Sequence, residues 1–269
     1  AQGFPYTTGD KIQAPPSIQE IGGEKVIFSG SNDDSFYAIK SDGSLLFSVL
    51  TGDKVLTSPS FLEENGQLSI FFGSNDDYIY AVDSEGNSLP GWPIEVNGTI
   101  GGSVVFSDLD GDGQAEVLAS TDIGEIVAFH LNGDAYQYFP IVNDFPFSGS
   151  PMTTDLDNDG DLEIVTGSGS NLFVIDIKES GSNSNYWSMF RGNVKRTGTY
   201  LPEDDDPSCG ADLGDVTGDG NINILDLVQI ANYILEVSTP MYECAADFTQ
   251  DGNVNILDLV QIANYILDN

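Results

Sequence analysis

The sequence predicts two domains of different class, an all-β repeat domain followed by a small all-α domain. Related segments of about 43–48 residues recur four times before residue 200. Each segment alternates apolar and polar residues in short runs, and no long helical period appears before residue 220. The last part of the chain instead contains one acidic loop and one apolar helix twice. The class is therefore multidomain, with strands first and helices last.

The four repeats form two similar pairs. GSNDDSFYAI at residues 30–39 recurs 43 residues later as GSNDDYIYAV at residues 73–82. SVVFSDLDGDGQAEVLAS at residues 103–120 recurs as SPMTTDLDNDGDLEIVTGS at residues 150–168. The two pairs also align with each other, because the segment after each acidic loop takes the place of a GSNDD hairpin.

Each repeat is predicted to contain four antiparallel strands. The turns between the alternating runs are rich in Gly, Asn, Asp and Ser, as tight hairpins require. Four short strands at this period are typical of the blades of a β-propeller. In the second repeat, the strands are predicted at residues 56–62, 68–72, 78–82 and 92–96.

The first two repeats resemble PQQ-like propeller repeats, and the next two resemble FG-GAP (integrin-α-like) repeats with their acidic loop. WSMFRGNVKRTGTY, residues 187–200, is similar to a segment that often borders such propellers. The resemblance implies a propeller-type domain of about four four-stranded blades over residues 1–200, without implying a particular activity. PQQ-like repeats do not imply the quinone cofactor, and no residue pattern in this chain marks a site for it.

The N-terminal segment GFPYTTGDKIQAPPS resembles GWPIEVNGTIGGS at residues 91–103. This alignment predicts that Gly3–Tyr6 is the fourth strand of a preceding blade. Such a strand can close the ring of its own chain or pair with the exposed edge strand of another molecule. We favour closure within the chain.

Residues 201–208, LPEDDDPS, are polar, acidic and bounded by proline, and we interpret them as a linker. They separate the repeat domain from a second domain at residues 209–269. Within that domain, Cys209 and Cys244 bracket the first acidic loop. In an oxidising compartment, a disulfide between them would close a loop of about 36 residues and contribute about 3–4 kcal/mol. Two unrelated thiols are the alternative.

DVTGDGNINILD at residues 215–226 and DFTQDGNVNILD at residues 247–258 share the spacing of EF-hand calcium loops. Oxygen donors fall at positions 1, 3, 5, 7, 9 and 12, and Gly stands at position 6, where the turn needs positive φ. Hard oxygen donors at this spacing suit Ca²⁺, so each loop is predicted to bind one ion. The predicted ligands are Asp215, Thr217, Asp219, Asn221, Asn223 and Asp226 in the first loop, and Asp247, Thr249, Asp251, Asn253, Asn255 and Asp258 in the second.

Each unit is a loop followed by one helix, predicted at residues 225–235 and 257–267, with no helix before the loop. Together with Asp at position 12, this pattern closely resembles a type I dockerin over about residues 212–269. The resemblance implies a Ca²⁺-dependent fold and tight binding to a cohesin module of another protein. Because the two halves are nearly identical, it also implies that a partner can bind in either of two orientations.

The chain departs from the dockerin pattern at several positions. Position 3 is Thr in both loops, where Asn or Asp is usual, and the helices carry Ala–Asn where basic residues are common. Positions 10 and 11, which in that family help to select the cohesin, are apolar here. The apolar helix residues either all pack inside or leave an exposed strip for a partner. The predicted partner-binding residues are Ile224, Leu225, Ile256 and Leu257.

The repeat domain contains two further acidic loops, DLDGDGQAE and DLDNDGDLE, which resemble FG-GAP calcium loops. They are predicted to bind two Ca²⁺ ions with a structural role, because several carboxylates in one tight loop repel each other without a cation. The SNDD turns at residues 31–34 and 74–77 lack this spacing and are predicted to be plain hairpin turns. The predicted ligands are Asp108, Asp110, Asp112, Gln114 and Glu116 in one loop, and Asp155, Asp157, Asp159, Asp161 and Glu163 in the other.

Charge and composition exclude several classes of function. A formal net charge of −35, from 43 acidic and 8 basic residues, disfavours nucleic acid and anionic membrane surfaces as partners. No apolar run is long enough to span a bilayer. The single histidine, His130, stands in an alternating strand, and no catalytic set of residues accompanies it. We therefore expect no enzymatic activity.

These observations predict a secreted or cell-surface, calcium-stabilised scaffold or binding protein. Its dockerin-like module would dock it to a cohesin-like partner. An alternative is a structural subunit that joins identical subunits into an extracellular polymer. A weaker alternative is a carbohydrate-active enzyme delivered by the dockerin, and a carbohydrate ligand for the propeller stays open.

Overall fold

The computed structural model describes residues 3–64, 66–147, 149–183, 186–193, 196, 198, 213–235, 237, 243–248 and 254–268. The chain forms two compact units, Ala1–Tyr200 and Leu201–Asn269. The predicted linker and Cys209 lie outside the described residues, as do the predicted ligands Thr249, Asp251 and Asn253. The disulfide therefore stays a prediction.

The first unit consists of four antiparallel sheets that follow one another along the chain, and the predicted propeller-like class is confirmed. Neighbouring strands pair in chain order, so each sheet is a meander. The first sheet contains β1 (Ser17–Ile21), β2 (Glu24–Gly30), β3 (Ser35–Lys40) and β4 (Leu45–Leu50). The second contains β5 (Ser60–Glu64), β6 (Gln67–Gly73), β7 (Tyr78–Asp83) and β8 (Ile94–Glu95). The third contains β9 (Val105–Ser107), β10 (Glu116–Ser120), β11 (Glu125–His130) and β12 (Ile141–Val142), and the fourth contains β13 (Met152–Thr154), β14 (Asp161–Ser168) and β15 (Asn171–Ser180).

The fourth sheet differs from the prediction, because its described residues form three strands instead of four. Its last strand, β15, pairs with β14 along one edge. The segment predicted as a fourth strand, Gly3–Tyr6, belongs to no sheet in the described part of the chain. The closure within the chain that we favoured is therefore not seen among these residues.

Packing between consecutive sheets explains the recurrent GS dipeptide of the repeats. A Cβ atom at Gly30 would lie 2.3 Å from the carbonyl oxygen of Val55, and one at Gly73 would lie 2.3 Å from a methyl carbon of Ile100. Val55 and Ile100 lead into the next sheet and are fully buried. Each glycine thus leaves room for the following sheet to approach. Aromatic rings continue this packing, with Phe36 and Phe72 stacked at 4.1 Å.

The segment after β15 crosses the first strands of all four sheets. In its described part, Ser182 exchanges backbone hydrogen bonds with Asp108, and Ser188 accepts one from Thr153. The carbonyl of Gly198 accepts a hydrogen bond from Ile18 at 2.9 Å. Trp187 is buried with its ring edge-on to Phe61 at 5.4 Å. The described residues of this segment therefore hold the sheets together.

The second unit contains two helices, α1 (Ile224–Ile234) and α2 (Ile256–Asp268), and a short 3-10 helix at Glu243–Ala246. Both α-helices begin within one residue of the predicted start. Their buried faces carry the same residues of the two halves, as the sequence repeat requires. The core is formed by Val216, Ile230, Ala245, Ala246 and Ile262, with Ile222, Leu227, Ile234, Phe248, Val254, Leu259 and Ile266 packed against it.

Candidate metal loops and partner face

The first loop of the second unit is organised around the buried carboxylate of Asp215. Its Oδ1 accepts hydrogen bonds from the N–H groups of Gly218 at 2.8 Å and Asp219 at 3.1 Å. Its Oδ2 accepts one from Gly220 at 2.8 Å. Burial raises the pKa of this carboxyl, but the three N–H groups outweigh that effect and lower it below its ordinary value. Asp215 is therefore held as an anion that shapes the turn.

Asp226 closes the same loop and also starts α1. Its carboxylate is fully buried and accepts hydrogen bonds from the Thr217 N–H at 3.0 Å and the Asn223 N–H at 2.8 Å. Asn223 caps the helix by accepting from the Leu225 N–H at 2.9 Å, so the two residues form a capping box. The Thr217 hydroxyl lies between the two acids, 2.9 Å from Asp226 Oδ1 and 3.2 Å from Asp215 Oδ1.

The remaining predicted donors of the first loop have distinct positions. Asp219 accepts a hydrogen bond from the Asn221 N–H at 2.9 Å. The Asn221 side chain is exposed, which agrees with the expectation that this residue offers its backbone carbonyl. In the described part of this unit, no three carboxylates come within 4.8 Å of one another. The Thr at position 3 places a neutral hydroxyl between the two buried acids.

The second loop repeats the closing half of this arrangement. Asp258 is fully buried and accepts from the Asn255 N–H at 2.8 Å, while Asn255 accepts from the Leu257 N–H at 2.9 Å. Asp247, the predicted first ligand, is half-buried. The equivalent distances in the first loop are the same, so the two halves start their helices identically.

The acidic loops of the first unit fold their backbones in the same way as the first loop of the second unit. Asp108 accepts from the N–H groups of Gly111 at 2.6 Å and Gly113 at 2.9 Å, which are positions 4 and 6. Asp155 accepts hydrogen bonds from the N–H groups of Asp159 and Gly160, at positions 5 and 6, both at 3.2 Å. Three loops in two unrelated folds thus share one carboxylate-centred turn.

In each loop of the first unit, a glutamate at position 9 closes the loop, as the Asp at position 12 does in the second unit. Glu116 is fully buried on β10 and accepts from the Leu109 N–H at 2.8 Å. Glu163 is buried on β14 and accepts from the Leu156 N–H at 2.5 Å. Each glutamate belongs to a group of three acids in which one carboxylate oxygen of each acid lies within 4.8 Å of the others. The groups are Asp108, Asp110 and Glu116; Asp155, Asp157 and Glu163; and Asp159, Asp161 and Glu163.

Other predicted ligands of these loops contribute to the turns. Asp112 accepts from both the backbone and side-chain nitrogens of Gln114, at 2.7 and 3.0 Å, and is outside the close set of its loop. A hydrogen bond between the side chains of Asp161 and Asp159 raises the pKa of Asp161 to about 6, and the Asp161 N–H donates to Asp159 Oδ1 at 3.2 Å. Lys178 forms ion pairs with Asp161, at 3.9 Å, and with Asp176. A lysine thus offsets part of the negative charge in the fourth sheet.

His130 has a partner that sequence reasoning did not identify. Its Nδ1 lies 3.1 Å from Oε1 of Glu116, directly across the β10–β11 pair. Burial raises the pKa of Glu116 to about 7, although the Leu109 N–H and His130 act in the opposite direction. At the equivalent position of the fourth sheet, Asp176 stands opposite Glu163. His130 is therefore a neighbour of a predicted metal ligand.

The predicted ligands suit a calcium ion because their negative charges are buried without a positively charged side chain in the same unit. Asp215, Asp226 and Asp258 are buried carboxylates in a unit that contains no Lys, Arg or His. Burying carboxylate charges is costly, and among the described residues the donors that contact Asp215 and Asp226 include backbone N–H groups and the Thr217 hydroxyl, none of which carries a positive charge. The donors of all the loops are hard oxygens, which suit Ca²⁺. When bound, the ion would supply positive charge and fix the turn.

The predicted partner-binding residues are exposed on both halves of the second unit. Ile224 is 63% exposed and its counterpart Ile256 60%, and Leu225 and Leu257 are similarly exposed. Val228 and Val260 extend these surfaces by one turn of each helix. We call Ile224, Leu225 and Val228 the first apolar face, and Ile256, Leu257 and Val260 the second. The exposure of these six residues favours the interpretation that the helices carry an apolar strip for a partner.

The SNDD turns have a function that their sequence did not suggest. Asp33 Oδ2 accepts from the Gly9 N–H at 2.5 Å, and Asp76 Oδ2 accepts from the Gly52 N–H at 2.6 Å. Each pair joins a hairpin turn to the connector that enters its sheet. The signal was present in the sequence, because TGDK occurs at residues 8–11 and 51–54, at the same distance before each SNDD.

Comparison with known families agrees with the dockerin and FG-GAP resemblances. Residues 213–267 match the dockerin type I domain, and residues 108–166 match the FG-GAP-like repeat. Dockerin domains bind Ca²⁺ and cohesin modules, and both domain types are non-catalytic modules typical of extracellular or cell-surface proteins. No curated protein matches the chain.

Several solved structures are similar to the first unit. The computationally designed Ika4 protein has a TM-score of 0.45 and 15% identity over 64% of this chain and 94% of its own. BamB from Moraxella catarrhalis has a TM-score of 0.45 and 16% identity, and the WD40 propeller domain of Doa1 has 0.45 and 13%, each over 64% of this chain. The chain spans about half the length of these last two, 52% and 53%. Within the described residues, no helix is long and apolar enough to cross a bilayer.

Proposed function

We propose that this chain, which carries a dockerin type I domain at residues 213–267 and an FG-GAP-like repeat at residues 108–166, is a secreted, non-enzymatic binding protein. Its repeat domain, residues 1–200, is a scaffold stabilised by Ca²⁺ in two acidic loops. Its dockerin module, residues 209–269, holds two further ions and docks the scaffold to a cohesin-like module of another protein.

The observation that carries this proposal is the duplicated apolar face. In both halves, positions 10 and 11 of the loop and the next helical turn are exposed, while the opposite side of each helix fills the core. A helix start exposing Ile, Leu and Val next to a metal loop suits a partner that covers apolar surface. Removal of the ion would disorder the start of the helix and thereby the face.

The matching exposure of the two faces supports binding in two alternative orientations. We expect the double change Ile224→Asp and Leu225→Asp to weaken binding only about twofold, because the second face remains. The equivalent double change at Ile256 and Leu257 should behave alike. All four changes together should abolish binding. The measurement is calorimetric titration with a panel of cohesin modules in saturating Ca²⁺.

A matched control is available at Leu267, which is also exposed but lies at the far end of α2. Leu267→Asp should bind the same cohesin as the unchanged chain does. Retained binding after all four substitutions would contradict the assignment of the faces. If the unchanged chain binds no cohesin in the panel, docking to this class of partner is excluded for that panel.

A further inference from the structure

We infer that the two acidic loops of the repeat domain bind Ca²⁺ cooperatively, because residues 180–182 connect the backbone of one loop to the backbone of the other. This inference rests on the proposed function, which places Ca²⁺ in both loops, and it adds that neither loop binds its ion independently. The contacts that carry it all lie within the first unit. We call residues 180–182 the bridge.

The bridge pairs with the first predicted ligand of the loop in the third sheet. The Asp108 N–H donates to the carbonyl of Ser182 at 2.9 Å, and the Ser182 N–H donates to the carbonyl of Asp108 at 2.7 Å. The side chain of Asp108 meanwhile accepts hydrogen bonds from the N–H groups of Gly111 and Gly113. The residue around which this loop folds is therefore held by the bridge through its backbone.

Two glycines bring the bridge and this loop into close contact. A Cβ atom at Gly181 would lie 2.6 Å from the carbonyl oxygen of Asp108, and one at Gly111 would lie 2.8 Å from the carbonyl oxygen of Ser180. A Cβ atom at either distance would force one of the backbones to move. Because the two backbones touch with no side chain between them, a displacement of the loop displaces the bridge.

The bridge is equally connected to the loop of the fourth sheet. Ser180 pairs with Asp161, and the register of β14 with β15 shifts directly after this pair. The Gly181 N–H donates to the carbonyl of Gly160 at 3.3 Å. Gly160 stands at position 6 of the loop, and its own N–H donates to Asp155, the first predicted ligand. The bridge therefore contacts the carboxylate-centred turn of this loop as well.

Side-chain hydrogen bonds fix the residue at which the bridge begins. The Tyr136 hydroxyl donates to one carboxylate oxygen of Glu179 at 3.0 Å, and the Gln137 side chain donates to the other at 3.2 Å. Glu179 belongs to β15 of the fourth sheet, whereas Tyr136 and Gln137 follow β11 of the third. The chain around the bridge is thus tied to the third sheet at Glu179 and again at Ser182.

Cooperativity follows from what an ion does to an acidic loop. Binding orders the loop, and this ordering costs conformational entropy. An ion in one loop also fixes the bridge, so the other loop has less freedom left to lose when it binds its own ion. Direct electrostatics acts in the opposite direction, because two bound cations repel each other. The sign of the coupling therefore distinguishes ordering through the bridge from electrostatic repulsion.

The first experiment measures each loop in the full chain while the other loop is disabled. Asp110→Asn and Asp157→Asn change position 3 of the third-sheet and fourth-sheet loops, respectively, and both residues belong to the groups of close acids. Hydrogen–deuterium exchange of peptides that contain residues 109–113 or 156–160 is followed against Ca²⁺ concentration in about 150 mM NaCl. The Ca²⁺-dependent protection of each peptide gives a separate binding midpoint for each loop.

We expect the loop that fills at the higher Ca²⁺ concentration to need about threefold more Ca²⁺, or beyond that, when the other loop is disabled. A midpoint that is unchanged or lowered would overturn the inference and leave calcium binding by the loops intact. If neither peptide of the unchanged chain gains protection in Ca²⁺, calcium binding by these loops, and with it that part of the proposed function, is wrong.

The second experiment tests whether the bridge carries the coupling. Gly181→Ala places a Cβ atom against the Asp108 carbonyl and moves the bridge away from the third-sheet loop. In this background, disabling one loop should change the midpoint of the other less than about twofold. Ser182→Pro breaks the same contact in another way, because proline lacks the N–H that donates to Asp108.

Gly101→Ala is the matched control, since a Cβ atom at Gly101 would have no neighbour within 4 Å. This variant should keep the full coupling between the loops. Melting curves in Ca²⁺ establish which variants are folded. A folded bridge variant that retains the full coupling, or equal loss of coupling in the control, would overturn the role of the bridge.

Discussion

At the residue scale, the acidic loops are shaped by carboxylates that accept hydrogen bonds from backbone N–H groups. Asp108, Asp155 and Asp215 do this in three loops of two different folds. In all three loops the closing acid is buried, and in the two loops of the first unit it lies within 4.8 Å of other acids of its loop. What differs is the closing residue, Glu on a strand in the first unit and Asp on a helix in the second. The loop is thus a local device that either kind of element can complete.

The first prediction concerns the closing acid of the first dockerin loop. Asp226→Asn should weaken Ca²⁺ binding by this loop about tenfold or more, because the substitution removes charge at a buried oxygen position. The second loop should be little changed. Calorimetric Ca²⁺ titration, with melting in Ca²⁺ and in chelator, measures both effects.

Asn221→Ala is the control for this experiment, because position 7 is expected to offer its backbone carbonyl. Its Ca²⁺ affinity should stay within about twofold of the unchanged chain. If Asp226→Asn binds two ions in the dockerin module as tightly as the unchanged chain does, the assignment of Asp226 as a ligand is wrong.

At the element scale, the connectors between sheets decide how the repeats stack. The connectors into the first three sheets each donate a backbone N–H to an aspartate in the hairpin turn of the sheet they enter, from Gly9, Gly52 and Thr99. Small residues then admit the next sheet, as Gly30 and Gly73 do. Consecutive sheets are therefore joined by hydrogen bonds at the hairpin turn and by apolar packing next to the turn.

The second prediction is the pH dependence of one such joint. Burial raises the pKa of Asp33, but hydrogen bonds from the Tyr37 hydroxyl and the Gly9 N–H outweigh it and lower the pKa below its ordinary 3.8. Ionised Asp33 therefore stabilises the fold above that value, and the contribution is lost as the pH falls through the lowered pKa. The difference in unfolding free energy between the unchanged chain and Asp33→Asn should be largest near neutral pH.

Urea denaturation of both chains across the acidic range measures this difference. Tyr37→Phe is the control, because it removes a named donor to Asp33 and should reduce the pH dependence without abolishing it. Because Asp33 is partly exposed, high salt should also reduce the effect. A difference that grows as the pH falls below 3.8 would contradict the assigned sign.

At the scale of the whole molecule, the net charge of −35 opposes any compact or associated state. The third prediction is that thermal stability in saturating Ca²⁺ rises when NaCl is increased from about 10 mM to about 500 mM, because the Debye length falls from about 30 Å to a few ångströms. Differential scanning calorimetry measures this effect.

Sucrose at matched osmolality separates charge screening from general exclusion effects. It should not reproduce the gain seen with NaCl at low concentration. Stability that is unchanged or falls with NaCl in saturating Ca²⁺ would show that the carboxylates are already compensated, in contrast to our expectation.

The sequence by itself determined the repeats, the strand-and-helix classes and the metal loops, because these depend on local spacing. Alternation defines a strand, and a donor at positions 1, 3, 5 and 12 defines a loop, within a dozen residues. The exposure of Ile224 and Ile256 was left open by the same reasoning, since an apolar helix residue reads alike in a core or on a surface.

Only the tertiary structure decided which residues meet across repeats. It placed Asp33 on Gly9, His130 on Glu116 and Trp187 against Phe61. It also showed that the fourth sheet has three described strands and that Leu172 is exposed where its counterpart Phe36 is buried. The physical reason is that such contacts join residues far apart in the chain, and their energies depend on distances that spacing along the sequence does not encode.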